Sequence, residues 1–282
     1  MLVELGPTRV IFTSPNDQRT QDYNTGGSVR RPPAGRGEEE PSMQLRAIAA
    51  YDAELKVLDG LIGDMAGGTQ SALEYASKAL FAGDVNLAQE VIAGDGAIDL
   101  LQHNVEEKAI STIATCQAAA IDLRQIVSAI RIANDLERIG DLAKNVAKRV
   151  IAISEQPASI KVATSLAPLA ARVRDQLRNV AAAYRNRDDG VALEVWRSDG
   201  AIDTMHTSLF RALLTYMMED PRSIGFCAHL LFCAKNLERI GDHATNIAET
   251  THFVITGDML SADRPNDDGS SGVEPSWGHT KI

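Results

Sequence analysis

The stretch DLERIGDLAKN, residues 135–145, returns as NLERIGDHATN at residues 236–246. A second pair accompanies it, because DGAID at residues 95–99 is repeated at residues 199–203. The first pair lies 101 positions apart and the second pair 104. Self-similarity over such a period is typical of a chain that contains two copies of one structural unit. We therefore predict two repeats of one unit.

Apolar residues around both LERIGD motifs recur with the spacing of a helix that packs along one side. The first repeat has Ala129, Leu136, Ala143 and Val150 beside Ile132, Ile139 and Val146, and the second has Leu230, Leu237 and Ala244 beside Cys233, Ile240, Ile247 and Val254. This seven-residue pattern predicts a core-facing helix in each repeat. Aromatic residues make up only 5% of a chain that is 44% hydrophobic, which favours an all-helical fold.

Each repeat is predicted to hold three helices joined by short turns. They span about 45–81, 85–115 and 118–155 in the first repeat, and about 162–187, 189–218 and 223–255 in the second. Gly67-Gly68 leaves open whether the first of these is one long helix or two shorter ones. Short connections make neighbouring helices antiparallel. The predicted fold class is therefore all-α, with two tandem, similar three-helix bundles.

The two ends of the chain differ in composition from the repeats. Residues 1–42 are rich in Gly, Pro and charge and are predicted to be a disordered extension, while residues 257–282 are predicted to be a flexible tail. The first repeat is placed at residues 43–156 and the second at residues 157–256. Met43 directly precedes the first helical pattern, so we hypothesise that the native protein starts there, which N-terminal sequencing would test.

Charge and cysteine content restrict the partners and the compartment. The formal net charge of −10 argues against a nucleic-acid partner, because such binding needs a basic face. The cysteines Cys116, Cys227 and Cys233 are odd in number and form no CxxC motif, so we interpret them as reduced core residues of a cytoplasmic protein. No stretch approaches the ~20 apolar residues of a membrane helix, and the N-terminus lacks the pattern of a signal peptide.

Each repeat carries two pairs of carboxylates at i, i+4. The pairs are Asp95 with Asp99 and Glu137 with Asp141 in the first repeat, and Asp199 with Asp203 and Glu238 with Asp242 in the second. Like charges at this spacing destabilise a helix, whereas a bound cation makes the same arrangement favourable. Because both pairs recur in both repeats, they indicate metal binding. The helical wheel places Glu137 and Asp141, and likewise Glu238 and Asp242, away from the apolar seam, on the outer surface of the bundle.

Two alternatives stay open. One is a metal-free helical scaffold whose acids form a solvated face, with Arg138 and Arg239 neutralising them. The other is a ferritin-like carboxylate metalloprotein, since Asp203 with His206 and Glu249 with His252 have the carboxylate-x-x-His spacing of di-iron bundles. The first repeat has Gln102 and Lys148 in place of those histidines. No activated nucleophile, phosphate-binding glycine loop or HxxEH-type motif is recognised, so we predict that the protein is not an enzyme.

ATCQAAAIDLRQIVSAIRIANDLERIGDLAKNVAKR at residues 114–149 resembles the first signature of the PhoU family of phosphate-signalling proteins, and KNLERIGDHATNIAE at residues 235–249 resembles its second. The resemblance covers about residues 43–257. It implies a cytoplasmic adaptor that forms a homodimer and reaches the membrane through its partners. It further implies that the protein links the Pst phosphate ABC transporter, through its ATPase subunit, to a PhoR-type sensor histidine kinase, and keeps the phosphate-starvation response off when phosphate is plentiful.

Members of that family bind metal clusters through E/DxxxD motifs, which correspond here to the four pairs of acids named above. The resemblance thus implies bound metal ions and leaves open whether they are iron, manganese, zinc or magnesium. Two departures stand out. Asp135 of the first motif is replaced by Asn236 in the second, which suggests that the two sites differ in charge and metal occupancy. Ala118 stands where members often have Pro, which bears on how the third helix starts.

Overall fold

The computed structural model describes residues 40–115, 120–154 and 160–260. Ala50–Ile282 form one compact unit, separate from Met1–Ala49, and every contact described below belongs to the former. The predicted disorder of the chain ends falls almost entirely outside the described residues, as does the predicted burial of Cys116. Those expectations therefore stay predictions.

Helices make up both repeats, and no strand occurs among the described residues. The first repeat holds α1 (Glu40–Ala82), α2 (Val85–Thr115) and α3 (Ala120–Ile153); the second holds the short α4 (Ile160–Ala163), a 3₁₀ turn (Thr164–Leu166), α5 (Ala167–Asn186), α6 (Asp189–Arg197), α7 (Asp199–Glu219), a second 3₁₀ turn (Pro221–Ser223) and α8 (Ile224–Thr256). The predicted all-α fold of two similar three-helix repeats is confirmed. Within the described ranges, no helix is both long and apolar enough to cross a membrane.

The helices differ from the predicted ones in three places. The predicted helix over residues 162–187 is divided into α4, the 3₁₀ turn Thr164–Leu166 and α5. α1 runs through Gly67-Gly68 without a break, because fully buried neighbours such as Met65 and Thr69 hold it in the core against the low helix propensity of glycine. The predicted single helix over residues 189–218 is instead divided into α6 and α7. Ser198 leaves the helical backbone at φ −88° and ψ 1°, and its hydroxyl donates to the Val195 carbonyl at 2.9 Å.

Matching turns lead into the middle helix of each repeat. Gly83 and Arg187, which lie 104 positions apart, adopt positive φ angles of 67° and 53°. The aspartate that follows each of them caps the next helix. Asp84 Oδ1 accepts a hydrogen bond from Leu87 N at 3.0 Å, and Asp188 Oδ1 accepts one from the Val191 amide at 3.1 Å. Both caps satisfy first-turn N–H groups.

The end of α5 is attached to α1 through one carboxylate. Arg187 Nη2 lies 3.0 and 2.9 Å from the two oxygens of Asp59, and the Tyr184 hydroxyl donates to Asp59 at 2.7 Å. The Arg187 guanidinium also lies over the Tyr184 ring, 4.6 Å from its centroid. Arg187 thus holds a left-handed backbone that favours glycine, while its side chain joins the two repeats.

The two LERIGD helices, α3 and α8, pack against each other, and each packs on the middle helix of its own repeat. The predicted seams face the core: Leu136 is 2% exposed, Ile139 0%, Leu237 1% and Ile240 0%. Cys227 and Cys233 are also fully buried, which confirms two of the three predicted core cysteines. One hydrophobic cluster runs through both repeats, so neither repeat keeps a core to itself.

The glycine of each LERIGD motif permits a close helix approach. A Cβ on Gly140 would lie 3.0 Å from Ile98 Cδ1, and one on Gly241 would lie 2.8 Å from Ile202 Cδ1. Both isoleucines belong to the DGAID motifs. In each repeat the LERIGD and DGAID motifs therefore meet in one helix contact, because the isoleucine of DGAID packs against the glycine of LERIGD. The acids that flank these residues are brought together as a result.

A polar contact ties α3 to α8 across the repeats. His243 Nδ1 lies 2.8 Å from Asp135 Oδ1, and the Asn246 amide donates to the same oxygen at 3.5 Å. At the equivalent positions the first repeat has Leu142 and the second has Asn236. This contact therefore has no mirror image, although the helices that make it are repeats of each other.

Candidate metal site

Three carboxylates of the second repeat converge where α7 packs on α8. An oxygen from each of Asp203, Glu238 and Asp242 lies within 4.8 Å of the other two. Asp203 belongs to the DGAID motif on α7, and the other two belong to the LERIGD motif on α8. Glu238 is buried, whereas Asp203 and Asp242 are half-buried. The site therefore lies in the helix interface that Gly241 makes possible.

Asp199 lies deeper and accepts the last hydrogen bond of a chain that begins with two neutral side chains. Thr245 Oγ1 donates to Asp199 Oδ1 at 2.8 Å, and Gln176 Nε2 donates to Thr245 Oγ1 at 2.9 Å. All three residues are buried. Gln176 Oε1 has no hydrogen-bond partner among the described residues, and it lies 3.4 Å from the position of a Cβ on Gly241. An oxygen acceptor is thus left unsatisfied beside the backbone of the acidic helix.

The second-repeat acids are crowded. Burial raises the pKa of Asp242 to about 6, and the neighbouring carboxylates, Glu238 foremost, raise it too. Lys235 opposes them from the solvent side, with Nζ 2.6 Å from the Glu238 carboxylate. Its Nζ lies 2.6 Å from each of the two Glu238 oxygens and donates its hydrogen bond to Oε1. The cluster therefore keeps an excess of negative charge that one partly exposed lysine does not balance.

This donor set fits a hard cation. Such ions hold oxygen ligands at about 2.0–2.6 Å, so oxygens on opposite sides of one ion lie about 4–5 Å apart. The 4.8 Å spread of the three carboxylates matches that span. A bound cation would replace the repulsion among these carboxylates by attraction. No histidine or cysteine joins the group in the described part of the chain, so the donors suit magnesium or manganese better than zinc.

The matching acids of the first repeat surround a lysine instead. Lys144 Nζ contacts Asp95 Oδ2 and lies 2.5 Å from Asp141 Oδ1. The hydrogen bond from Lys144 lowers the pKa of Asp141, while burial, followed by the charge of Asp141, raises the pKa of Glu137. Arg138 lies 3.5 Å from Glu137 and 3.9 Å from Asp141. Across the described residues, three carboxylates converge in the second repeat but not in the first.

Burial of the acids differs from the sequence-based expectation. Glu137 and Asp141, predicted on the outer surface, are half-buried. Asp95 and Asp199 are each 8% exposed, and Glu238 is 9% exposed. The helical wheel assumed one packed side, whereas α3 and α8 each contact several helices. Metal binding by the eight acids stays a prediction, and Asp99, the most peripheral of them, is exposed.

Sequence reasoning missed three residues of these clusters: Lys144, Thr245 and Gln176. A signal for two of them was present, because Lys144 and Thr245 occupy equivalent positions, 101 apart. A comparison of the two repeats would have shown that a charged residue in one corresponds to a neutral residue in the other. Gln176 lies on α5, outside every repeated motif, and carried no such signal.

Neither histidine of the carboxylate-x-x-His pattern joins the converging acids. His252 Nδ1 lies 2.6 Å from Asp189 Oδ1. His206 follows Asp203 by three residues on α7, yet the converging group contains Asp203 without it. The geometry therefore favours an all-carboxylate cluster over a mixed carboxylate and histidine centre.

Fold and site first define a class: a two-repeat helical-bundle protein with acidic clusters between the middle and last helices of each repeat. The PhoU domain matches residues 62–150 and 166–251, one match in each repeat. A PhoU homologue of the phosphate-specific transport system from Rhizobium meliloti is 49% identical over 224 residues, which are 79% of this chain and 94% of that protein. A homologue of the same description from Caulobacter vibrioides is 43% identical over 79% of this chain and 97% of its own.

The crystal structure of PhoU from Pseudomonas aeruginosa superimposes with a TM-score of 0.72 at 35% identity, over 74% of this chain and 100% of that one. The phosphate transport system regulatory protein PhoU from Streptococcus pneumoniae gives 0.69 at 25% identity, over 75% and 99%. The chain belongs to the PhoU family.

Proposed function

We propose that this protein is a regulatory adaptor of a phosphate transport system. It docks on the ATPase subunit of the phosphate ABC transporter and on a sensor histidine kinase, and it keeps the phosphate-starvation response off when phosphate is plentiful. It acts in the cytoplasm as a homodimer and reaches the membrane through these partners. Signalling of this kind requires that the adaptor bind two states of a partner with different affinity.

One observation carries the proposal: both repeats match the PhoU domain, and the chain covers 94% of a relative that is named as an accessory protein of phosphate-specific transport. The names of the relatives describe accessory and regulatory proteins rather than enzymes. The net charge of −10 supports protein partners or cations over nucleic acid.

The second-repeat cluster of Asp203, Glu238 and Asp242 adds a cation to the proposal. Its donors are oxygens that lie within 4.8 Å of one another, and its crowded acids are relieved when a divalent ion binds. The ion joins α7 to α8, so it stiffens the helix pair whose surface meets a partner. Magnesium and manganese suit the donors best, and iron also accepts carboxylates.

The adaptor role is tested in the organism of origin by deleting the gene and following a phosphate-starvation reporter in high phosphate. We expect the deletion to switch the reporter on and the wild-type gene to restore repression. Affinity capture of the tagged protein from phosphate-replete cells should then yield the transporter ATPase or the kinase. A reporter that stays off in the deletion strain, with neither partner captured, would contradict the proposal.

The cation is tested with the triple variant Asp203→Asn, Glu238→Gln, Asp242→Asn. We expect it to lose the Mn²⁺ that the wild-type protein binds, measured by the loss of the free-ion electron paramagnetic resonance signal on titration. The control is Asp64→Asn, Glu90→Gln, Glu219→Gln, which removes the same charge from exposed positions and should bind Mn²⁺ as the wild type does. Equal binding by both triple variants would place the ion elsewhere.

A further inference from the structure

The two acidic clusters are built from equivalent residues but differ in their cations. Each contains two acids from a DGAID motif and two from a LERIGD motif. The first cluster includes Lys144, and the equivalent residue of the second is Thr245. The second includes Lys235, and the equivalent residue of the first is Asn134. The lysines therefore enter their clusters from different positions of the repeat.

Lys144 of α3 joins two of the three helices of the first repeat. Its Nζ contacts Asp95 on α2 and Asp141 on α3, and its side chain is only 20% exposed. Burial lowers the pKa of this amine, but the hydrogen bonds to Asp141 and Asp95 outweigh burial and raise it. A charged ammonium thus sits between an acid of each motif, which is where a bridging metal ion would have its ligands.

Lys235 has a different place in the second repeat. Its side chain is 54% exposed and pairs with Glu238, three residues along the same helix. This ion pair lies within α8 and does not join α8 to α7. The inner position that Lys144 takes in the first repeat belongs to Thr245, a fully buried neutral residue whose hydroxyl donates to Asp199. In the second repeat a neutral hydroxyl therefore takes the position of the ammonium that joins α2 to α3 in the first.

We propose that the ammonium of Lys144 takes the place of a metal ion in the first repeat, so that this protein binds divalent cations at the second cluster and not at the first. The contrast rests on the proposed function in one respect, since the second cluster is the cation site named there. The two clusters then differ in what holds their helices together. The first cluster is a fixed link between α2 and α3, whereas the link between α7 and α8 depends on a cation.

The test is Lys144→Thr, which gives the first repeat the residue of the second. It is made in the full-length protein both alone and with the triple variant Asp203→Asn, Glu238→Gln, Asp242→Asn. Mn²⁺ binding is measured by the free-ion resonance signal, and Tm is measured with EDTA and with Mn²⁺. Lys144→Gln is a second variant that removes the charge but keeps an unbranched polar side chain, in case the threonine variant does not fold without metal.

We expect Lys144→Thr to gain one class of Mn²⁺ site and to keep it when the second cluster is disabled. Its Tm should fall in EDTA and rise by about 5 °C at saturating Mn²⁺, a rescue that a purely structural lysine would not give. If the wild type binds no Mn²⁺ but the variant does, the cation part of the proposed function fails while the role of Lys144 stands. Absence of a new site in both lysine variants would overturn the inference, as would loss of wild-type Mn²⁺ in Asp95→Asn.

Discussion

The carboxyl group of Asp242 in the second cluster has a strongly raised pKa. Burial and the neighbouring acids raise its pKa from 3.8 to about 6. In the unfolded chain the group regains its ordinary pKa, so between pH 4 and pH 6 the folded protein holds a proton that the unfolded protein has released. Stability from this group is thus present at low pH and is lost as the pH rises through about 6.

The upward direction of this pKa shift gives a prediction for Asp242→Asn. In EDTA at pH 7.5 the variant should be more stable than the wild type by about 1–2 kcal/mol, after allowance for solvent screening. The difference should vanish below about pH 4, where the wild-type carboxyl is protonated in both states. Urea unfolding across this pH range measures it, with Asp64→Asn at an exposed position as the control. A variant less stable than the wild type at pH 7.5 would show that Asp242 has a stabilising partner.

The sequence predicted residue types better than residue environments. The four acidic pairs could be predicted from two repeated motifs. The burial of Asp95 and Glu238 could not, because a helical wheel shows which side of a helix is apolar but not how many helices pack around it. Lys144 was overlooked because a lysine near acids on a helix is ordinary in sequence. Its meaning depends on Asp95, which lies on another helix.

At the scale of the element, the motif RIGD is a packing device. Gly140 and Gly241 let the isoleucine of the neighbouring helix come within 3.0 and 2.8 Å of the position of a Cβ. Each of these glycines and isoleucines has one acid directly after it and another three residues before it, so the depth of this contact sets the spacing of the cluster.

Gly241→Ala should therefore destabilise the protein although alanine favours the helix. Overpacking a core costs about 1–3 kcal/mol, and the gain in helix propensity is about 1 kcal/mol. Fully buried Ile202 and the Gln176 side chain both crowd the site, so we expect a net loss of about 1 kcal/mol in urea unfolding. Gly60→Ala, in the exposed middle of α1 with nothing within 4 Å of its Cβ position, should instead stabilise by about 0.5–1 kcal/mol. Equal effects of the two substitutions would refute the close-packing role.

Helix positions were largely predictable, because the periodic pattern extends over whole elements. The predicted helix over residues 85–115 matches α2, Val85–Thr115. The division at Ser198 was not predictable, since its first-repeat equivalent, Gly94, lies within the unbroken α2. At Ser198 the hydroxyl and the backbone N–H both bond to the Val195 carbonyl.

At the scale of the whole molecule, the two repeats share one hydrophobic cluster and are joined by polar contacts that no repeat pattern announces. Asp59 of α1 receives Tyr184 and Arg187 of α5. The sequence predicted two similar bundles, but it could not predict this junction, because junction residues differ between the repeats and follow no period.

Tyr184→Phe tests the junction. It removes the hydroxyl that donates to Asp59 at 2.7 Å from a side chain that is 6% exposed. A hydrogen bond to a charged group contributes about 1.5–3 kcal/mol, and Arg187 remains to pair with Asp59, so we expect a loss of about 1–2 kcal/mol in urea unfolding. Asp59→Ala should cost more, since it leaves the buried hydroxyl without its acceptor. Tyr75→Phe, at a residue that is 46% exposed, is the control; a loss as large as that of Tyr184→Phe would deny the junction a special role.

The contact of Asp135 with His243 and Asn246 has a consequence for the history of the chain. A protein made of two first repeats would place a leucine where His243 stands, and one made of two second repeats would place an asparagine where Asp135 stands. Neither ancestor-like form could make the aspartate–histidine pair. The pair needs one residue from each kind of repeat, so neither repeat can be replaced by a copy of the other without losing it.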